Sequence, residues 1–120
     1  GHVIVDDHAI LGGFTLVHQF CHIGSHAFCG MGSAVSKDVP PYVIVNGNPA
    51  HPHGLNLEGL KRRGFSKEAL KALRDRYKLV YRKGLTVEEA MPQLEQLAKS
   101  SVEVQPFMEF IKSATRGIIR

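Results

Sequence analysis

The side chains with the widest chemical reach in this 120-residue chain are seven histidines, two cysteines and one basic triplet. Histidine is a common general base and metal ligand, so the spacing of the seven is informative. His8 and His26 are separated by three hexads, and so are His2 and Phe20. A zinc site needs three or four protein ligands converging on one point. No Cys or carboxylate accompanies these histidines at a recognised ligand spacing, so no metal is expected. His18 and Gln19 form a polar pair that suits either a cleft or an exposed corner. Asn56, Glu58 and the run Lys61-Arg62-Arg63 complete the candidates. Guanidinium groups match phosphate, and a solvated helix start accounts for a basic triplet equally well. No glycine-rich phosphate loop follows a predicted strand.

A scaffold must position these residues, and the sequence carries a repeat that can do so. Val5, Leu11, Val17, Ile23, Cys29 and Val35 recur at every sixth position, and four residues after each stands Ala9, Thr15, Cys21, Ala27, Ser33 and Val39, all small or β-branched. A helix needs a period near 3.6 and a two-faced strand a period of 2. Here the small residue and the next apolar one are two apart, so they share one face of a short strand, and the residues between such pairs must turn a corner. Three corners close a circuit of three hexads, whose strands pair in parallel with those of the next circuit. His8 and His26 should then stack on one corner, and His2 should lie beneath Phe20. Cys21 and Cys29 fall on inward positions and read as core. The repeat is already in register at Val5, which predicts an open strand edge there and a chain that starts within a longer solenoid.

The two halves differ in charge. Residues 1–60 hold one Lys and no Arg against four acidic residues, whereas residues 61–120 hold 14 basic against 7 acidic residues. Ten of the twelve glycines lie at or before Gly64. Two units follow: 1–60 as the last solenoid circuits with an exit strand and connector over 42–50, and 61–120 as a helical domain. Ser66 is the expected cap of a helix that buries Ala69, Leu70, Leu73, Tyr77, Val80 and Tyr81 and ends near Gly84. Thr86-Val-Glu-Glu89 is a capping box for a second helix, with Ala90, Leu94, Leu97 and Ala98 inward and Pro92 expected to kink it or shift its start. A third helix should carry Phe107, Phe110, Ile111 and Ala114. No apolar run approaches the roughly 20 residues of a membrane span, so no integral membrane segment is expected. Aromatic interleaving of the basic half is missing, which argues against nucleic acid as a partner.

The hexads followed by Asp38-Val-Pro-Pro-Tyr42 and Gly47-Asn-Pro-Ala50 resemble the hexapeptide acyltransferase superfamily. Gly54-Leu-Asn-Leu-Glu-Gly-Leu-Lys-Arg-Arg-Gly-Phe65, with Val17-His-Gln-Phe20 and Ser113-Ala-Thr-Arg-Gly117, resembles a narrower family, the UDP-N-acetylglucosamine O-acyltransferases that begin lipid A synthesis in Gram-negative bacteria. The resemblance implies an α+β fold, a left-handed parallel β-helix followed by a C-terminal α-helical domain. It implies a cytoplasmic homotrimer that moves a 3-hydroxyacyl chain from acyl carrier protein to the sugar 3-hydroxyl without a cofactor. The backbone N–H of Gly1 would be the oxyanion donor. His2, His18 and Gln19, together with Asn56, Glu58 and Arg62, would hold substrate. Met31 would end the acyl groove and set a chain of about ten carbons, since each excluded methylene is worth about 0.8 kcal/mol. The general-base His belongs one circuit before Gly1 and is not in this sequence, so residues 1–120 alone are expected to be inactive. The alternatives are a sister N-acyltransferase, a non-catalytic trimeric scaffold, and a metal-dependent hydratase on a similar solenoid.

Overall fold

A computed structural model describes residues 1–81, 86–98, 104–114 and 117–120. The recurring apolar positions become six two-residue strands: β1 (Ile4–Val5), β2 (Ile10–Leu11), β3 (Leu16–Val17), β4 (His22–Ile23), β5 (Phe28–Cys29) and β6 (Ala34–Val35). None pairs with its neighbour in sequence. Instead β1 pairs with β4, β2 with β5 and β3 with β6, all parallel, with Val5 opposite Ile23, Leu11 opposite Cys29 and Val17 opposite Val35. Every partner lies three hexads on, as a three-sided circuit demands. The corners are equally regular. His2, His8, Phe14, Phe20, His26 and Gly32, each one hexad after the last, all have positive φ between 57° and 76°. That left-handed conformation is uncommon for side-chain-bearing residues. Ladder bonds on either side of each turn impose it, among them His26 N–H to the Asp7 carbonyl at 3.1 Å and Gly32 N–H to the Gly13 carbonyl at 2.8 Å. Cys21, Ile23, Ala27, Cys29, Ser33, Val35 and Val39 point inward and are buried.

The six-residue register then slips. Ile23 bridges Val39 and Cys29 pairs with Val45, so each partner arrives two positions sooner than a full circuit allows. Val39 therefore fills the apolar slot, not the small-residue slot that counting in sixes assigns to it. The next corner shifts with it: Tyr42, φ 72°, follows His26 with the same shortfall of two. The lost pair of residues falls on the corner above Phe20. Asp38 occupies that corner, with its Oδ1 accepting the His22 N–H at 2.8 Å. The expected exit strand forms as β7 (Val43–Asn46), which continues the β2–β5 sheet in parallel. β8 (His51–Leu55) then folds back antiparallel on β7.

Four helices follow. α1 (Leu57–Arg62) was not expected; Asn56 caps it by accepting the Gly59 N–H at 3.2 Å. α2 (Lys67–Tyr81) starts where Ser66 Oγ accepts the Ala69 N–H, and it buries Ala69, Leu70, Leu73, Tyr77 and Val80 as the stripe predicts. α3 (Val87–Ala98) opens on the reciprocal capping box, Thr86 N–H to Glu89 Oε1 at 3.2 Å and Glu89 N–H to Thr86 Oγ1 at 3.1 Å, and runs through Pro92. α4 (Val104–Ser113) buries Phe107, Phe110 and Ile111. Gly84 and the side chains of Leu94, Leu97 and Ala98 lie outside the described residues. The tail returns to the strand region: Asp38 N–H donates to the Gly117 carbonyl and Ile119 N–H to the Asp38 carbonyl, at 3.1 and 2.8 Å. One hydrophobic core runs from Ile23 to Ile119, shared by strands and helices. Among the described residues no helix is long and apolar enough to cross a membrane.

Candidate functional site

Corner residues form columns because neighbouring circuits stack at the spacing of paired strands, about 4.8 Å. His2 lies flat against Phe20, centroids 5.0 Å apart and planes 3° off parallel. In the second column His8 meets His26 at 4.9 Å and His26 meets Tyr42 at 5.8 Å, with Phe65 set edge-on to His26. The stacking of His2 on Phe20 and of His8 on His26 follows from the three-hexad spacing. Burial pushes the His26 imidazole below its usual value, with His8 and Arg63 acting in the same direction. Among the described residues no group of three His, Cys, Asp or Glu is placed to hold a metal.

The candidate site residues occupy three corners. Gly1, His2, His18 and Gln19 gather on the first. The Gly1 carbonyl accepts the Phe20 N–H at 3.2 Å, so the Gly1-His2 pair lies one circuit below the segment 18–20. The His18 ring is exposed, turns Nδ1 to the Gln19 carbonyl at 3.0 Å, and borders a groove of about 410 Å³ with Val17, Val35, Ser36 and Asn48. Gln19 is exposed beside it.

Asn56, Glu58 and Arg62 belong to the second corner through α1. The Asn56 amide caps the helix with its oxygen and donates Nδ2–H to the His26 carbonyl at 3.3 Å, which ties α1 to the histidine column. Glu58 and Arg62 are exposed, and Glu58 reaches Lys61 only at 4.0 Å. Met31 marks the third corner, next to Gly32. It is 78% exposed, and Phe14 in the same column is 91% exposed. Within one chain, therefore, Gly1, His2, His18 and Gln19 share one corner, Asn56, Glu58 and Arg62 a second, and Met31 lies on a third.

Two features escaped the sequence reading. His22 Nε2 lies 2.7 Å from Asp6 Oδ2, and the His22 ring packs on Phe110 at 4.6 Å. A spacing of one circuit less two, on an outward strand face, is the signal that would have found the pair. Asp38 is the second, a buried acid that fastens both His22 and the tail. Both cysteines are fully buried and form no disulfide, and burial raises the Cys29 thiol to about 11.

Against known proteins, residues 38–119 match the family model described as Udp N-acetylglucosamine O-acyltransferase, Domain 2. The acyl-[acyl-carrier-protein]–UDP-N-acetylglucosamine O-acyltransferases of Pseudomonas syringae pv. tomato and Pseudomonas aeruginosa are 59% and 61% identical over all 120 residues. The chain spans 46% of the length of each, so a little under half. The structure resembles that of the Francisella novicida UDP-N-acetylglucosamine acyltransferase, with a TM-score of 0.96 and 46% identity, covering the whole of this chain and 44% of that one. The corresponding Acinetobacter baumannii structure also gives 0.96, at 43% identity, over the whole of this chain and 47% of that one. The match over residues 38–119 takes in β7, β8, all four helices and the tail, and on that ground the chain belongs to the UDP-N-acetylglucosamine O-acyltransferase family.

Proposed function

We propose that this chain supplies the last circuits and the helical lobe of an enzyme that transfers a 3-hydroxyacyl group from acyl carrier protein to the 3-hydroxyl of UDP-N-acetylglucosamine, the first step of lipid A biosynthesis. The circuits up to β7 wind as a left-handed parallel β-helix, and the helices from α1 onward form the helical domain. The enzyme works in the cytoplasm as a homotrimer and uses no cofactor beyond its acyl donor. The observation that carries this reading is the split of the candidate residues over three corners. A cleft between adjacent copies unites groups that a single chain holds apart.

In that cleft a base outside residues 1–120 takes the proton of the sugar hydroxyl, the oxygen attacks the thioester carbon, and the carrier thiolate leaves and is protonated. The Gly1 N–H donates to the carbonyl oxygen as negative charge builds on it, the interaction that grows most on the way to the transition state. His2, His18 and Gln19 hold the sugar nucleotide. Asn56, Glu58 and Arg62, from the second corner, hold the donor or nucleotide. The excess of cations in residues 61–120 attracts an acidic carrier protein and speeds encounter.

Incubating the intact protein with UDP-N-acetylglucosamine and 3-hydroxydecanoyl carrier protein tests this, with the product identified by mass spectrometry. The O-acylated sugar nucleotide is expected, with donor affinity falling as salt rises. Residues 1–120 alone should give none. Transfer by residues 1–120 would overturn the assignment of the base, and acylation of an amino sugar nucleotide instead would favour the sister N-acyltransferase.

A further inference from the structure

A second cleft, of about 200 Å³, shares Ser36 and Pro49 with the His18 groove and continues toward the tail, where Lys37, His51, Ile119 and Arg120 line it. Its charge is unusual for this part of the molecule. Lys37 is the single Lys or Arg among residues 1–60, and Arg120 comes from the opposite end of the sequence. No carboxylate side chain lines the cleft. The nearest acid in sequence, Asp38, is buried and has its Oδ1 committed to the His22 N–H.

Two of the polar residues, His51 and Arg120, are held in place. Arg120 Nη2 donates to the Val80 carbonyl at 2.6 Å, and the Arg120 carbonyl lies 3.4 Å from His51 Nδ1. A His51 ring that donates Nδ1–H to that oxygen leaves the Nε2 lone pair on its other side, which accepts from a P–OH of hydrogen phosphate. The volume is below the roughly 300–1,000 Å³ typical of pockets for organic ligands. A compact anion fits it; a nucleoside or an acyl chain does not. Ammonium and guanidinium groups with a hydroxyl are the donor set that recognises tetrahedral oxyanions.

We propose that this cleft is a phosphate-binding site, in which the Lys37 ammonium, the His51 ring and the Ser36 hydroxyl hold the oxyanion beside Arg120. It adjoins the His18 groove through Ser36 and Pro49 but uses none of the residues assigned to the acyl transfer, so either assignment can fail alone.

Calorimetric titration of the intact protein with inorganic phosphate tests the proposal, with uridine monophosphate as a second arm. Saturable phosphate binding is expected. Lys37→Ala and His51→Gln should each weaken it about tenfold, the scale of one charge-assisted hydrogen bond, and Lys37→Glu should abolish it. Both residues replaced are exposed, so the melting temperature without phosphate should not move. If the monophosphate binds more tightly and is lost in the same variants, the anion is the end of a nucleotide; if only inorganic phosphate responds to the variants, it is the free ion. Absence of saturable phosphate binding, or binding that survives Lys37→Glu, overturns the proposal.

Discussion

Asp38 accepts the backbone N–H of His22 through Oδ1 at 2.8 Å, across the corner where the register of the circuits drops by two residues. A side chain there supplies the acceptor that a ladder carbonyl would supply in a full circuit. Asp38→Ala removes a charge-assisted bond and orphans a buried donor, so a loss of about 2–4 kcal/mol is expected in chemical denaturation of the intact protein. Asp38→Asn keeps an oxygen and should lose less than half of that. Equal losses in the two variants would mean that the carboxylate's charge, not its acceptor geometry, holds the corner.

Gly12 and Gly13 are adjacent yet should behave in opposite ways. A Cβ on Gly12 would lie 2.7 Å from the Met31 backbone nitrogen, which cannot move without shifting the next circuit. A Cβ on Gly13 would meet only Met31 Cγ, at 3.9 Å. Gly12→Ala should destabilise by about 2 kcal/mol or more, in the range of overpacked cores, while Gly13→Ala should leave the melting temperature nearly unchanged.

The His26 column makes stability depend on pH. Burial, His8 and Arg63 all favour the neutral ring in the folded state, whereas the unfolded chain takes a proton near the ordinary value of 6.5. The unfolded state binds more protons there, so stability rises with pH, is complete above about 6.5, and is lost as pH falls below it. His26→Asn retains a residue suited to positive φ and should flatten the melting temperature between pH 7 and 5 by removing that contribution. An unchanged acid slope would place the sensitive group elsewhere.

The family resemblance implies that Met31 ends the acyl groove. Met31→Gly in the intact enzyme should shift donor preference from about ten carbons toward longer chains, each added methylene being worth up to about 0.8 kcal/mol when buried. Competition between carrier-bound donors of different length, read by mass spectrometry, checks this; an unaltered preference removes Met31 from the groove.

The circuits were legible in the sequence because six positions in a row obey one rule, from Val5 to Val35, and that rule also placed the columns His2–Phe20 and His8–His26. It failed at Val39. Counting in sixes cannot register two missing residues when an Asp side chain replaces the lost turn. α1 was hidden because six residues show too little periodicity, and Asn56 read as a substrate group while its amide also caps the helix. β8 contains Pro52 and Gly54, which argue locally for a loop, and only the edge of β7 makes a strand of it. The helices α2 and α3 were readable from Ser66 and the Thr86-Glu89 box, since caps are local chemistry. The cleft at Lys37 was invisible, because it joins Ser36, Lys37 and His51 to residues more than sixty positions further on, which the Asp38–Ile119 bond brings beside them.

The corner residues impose a rhythm on what mutation can do. Positions 2, 8, 14, 20, 26 and 32 share a backbone shape that Val, Ile and Thr resist, whatever their exposure. A saturation scan of the chain should therefore show intolerance to branched side chains beating once in every hexad, and the beat should jump phase between 32 and 42, where Tyr42 takes over. The shape of the fold would then be recoverable from fitness values alone, without any coordinates.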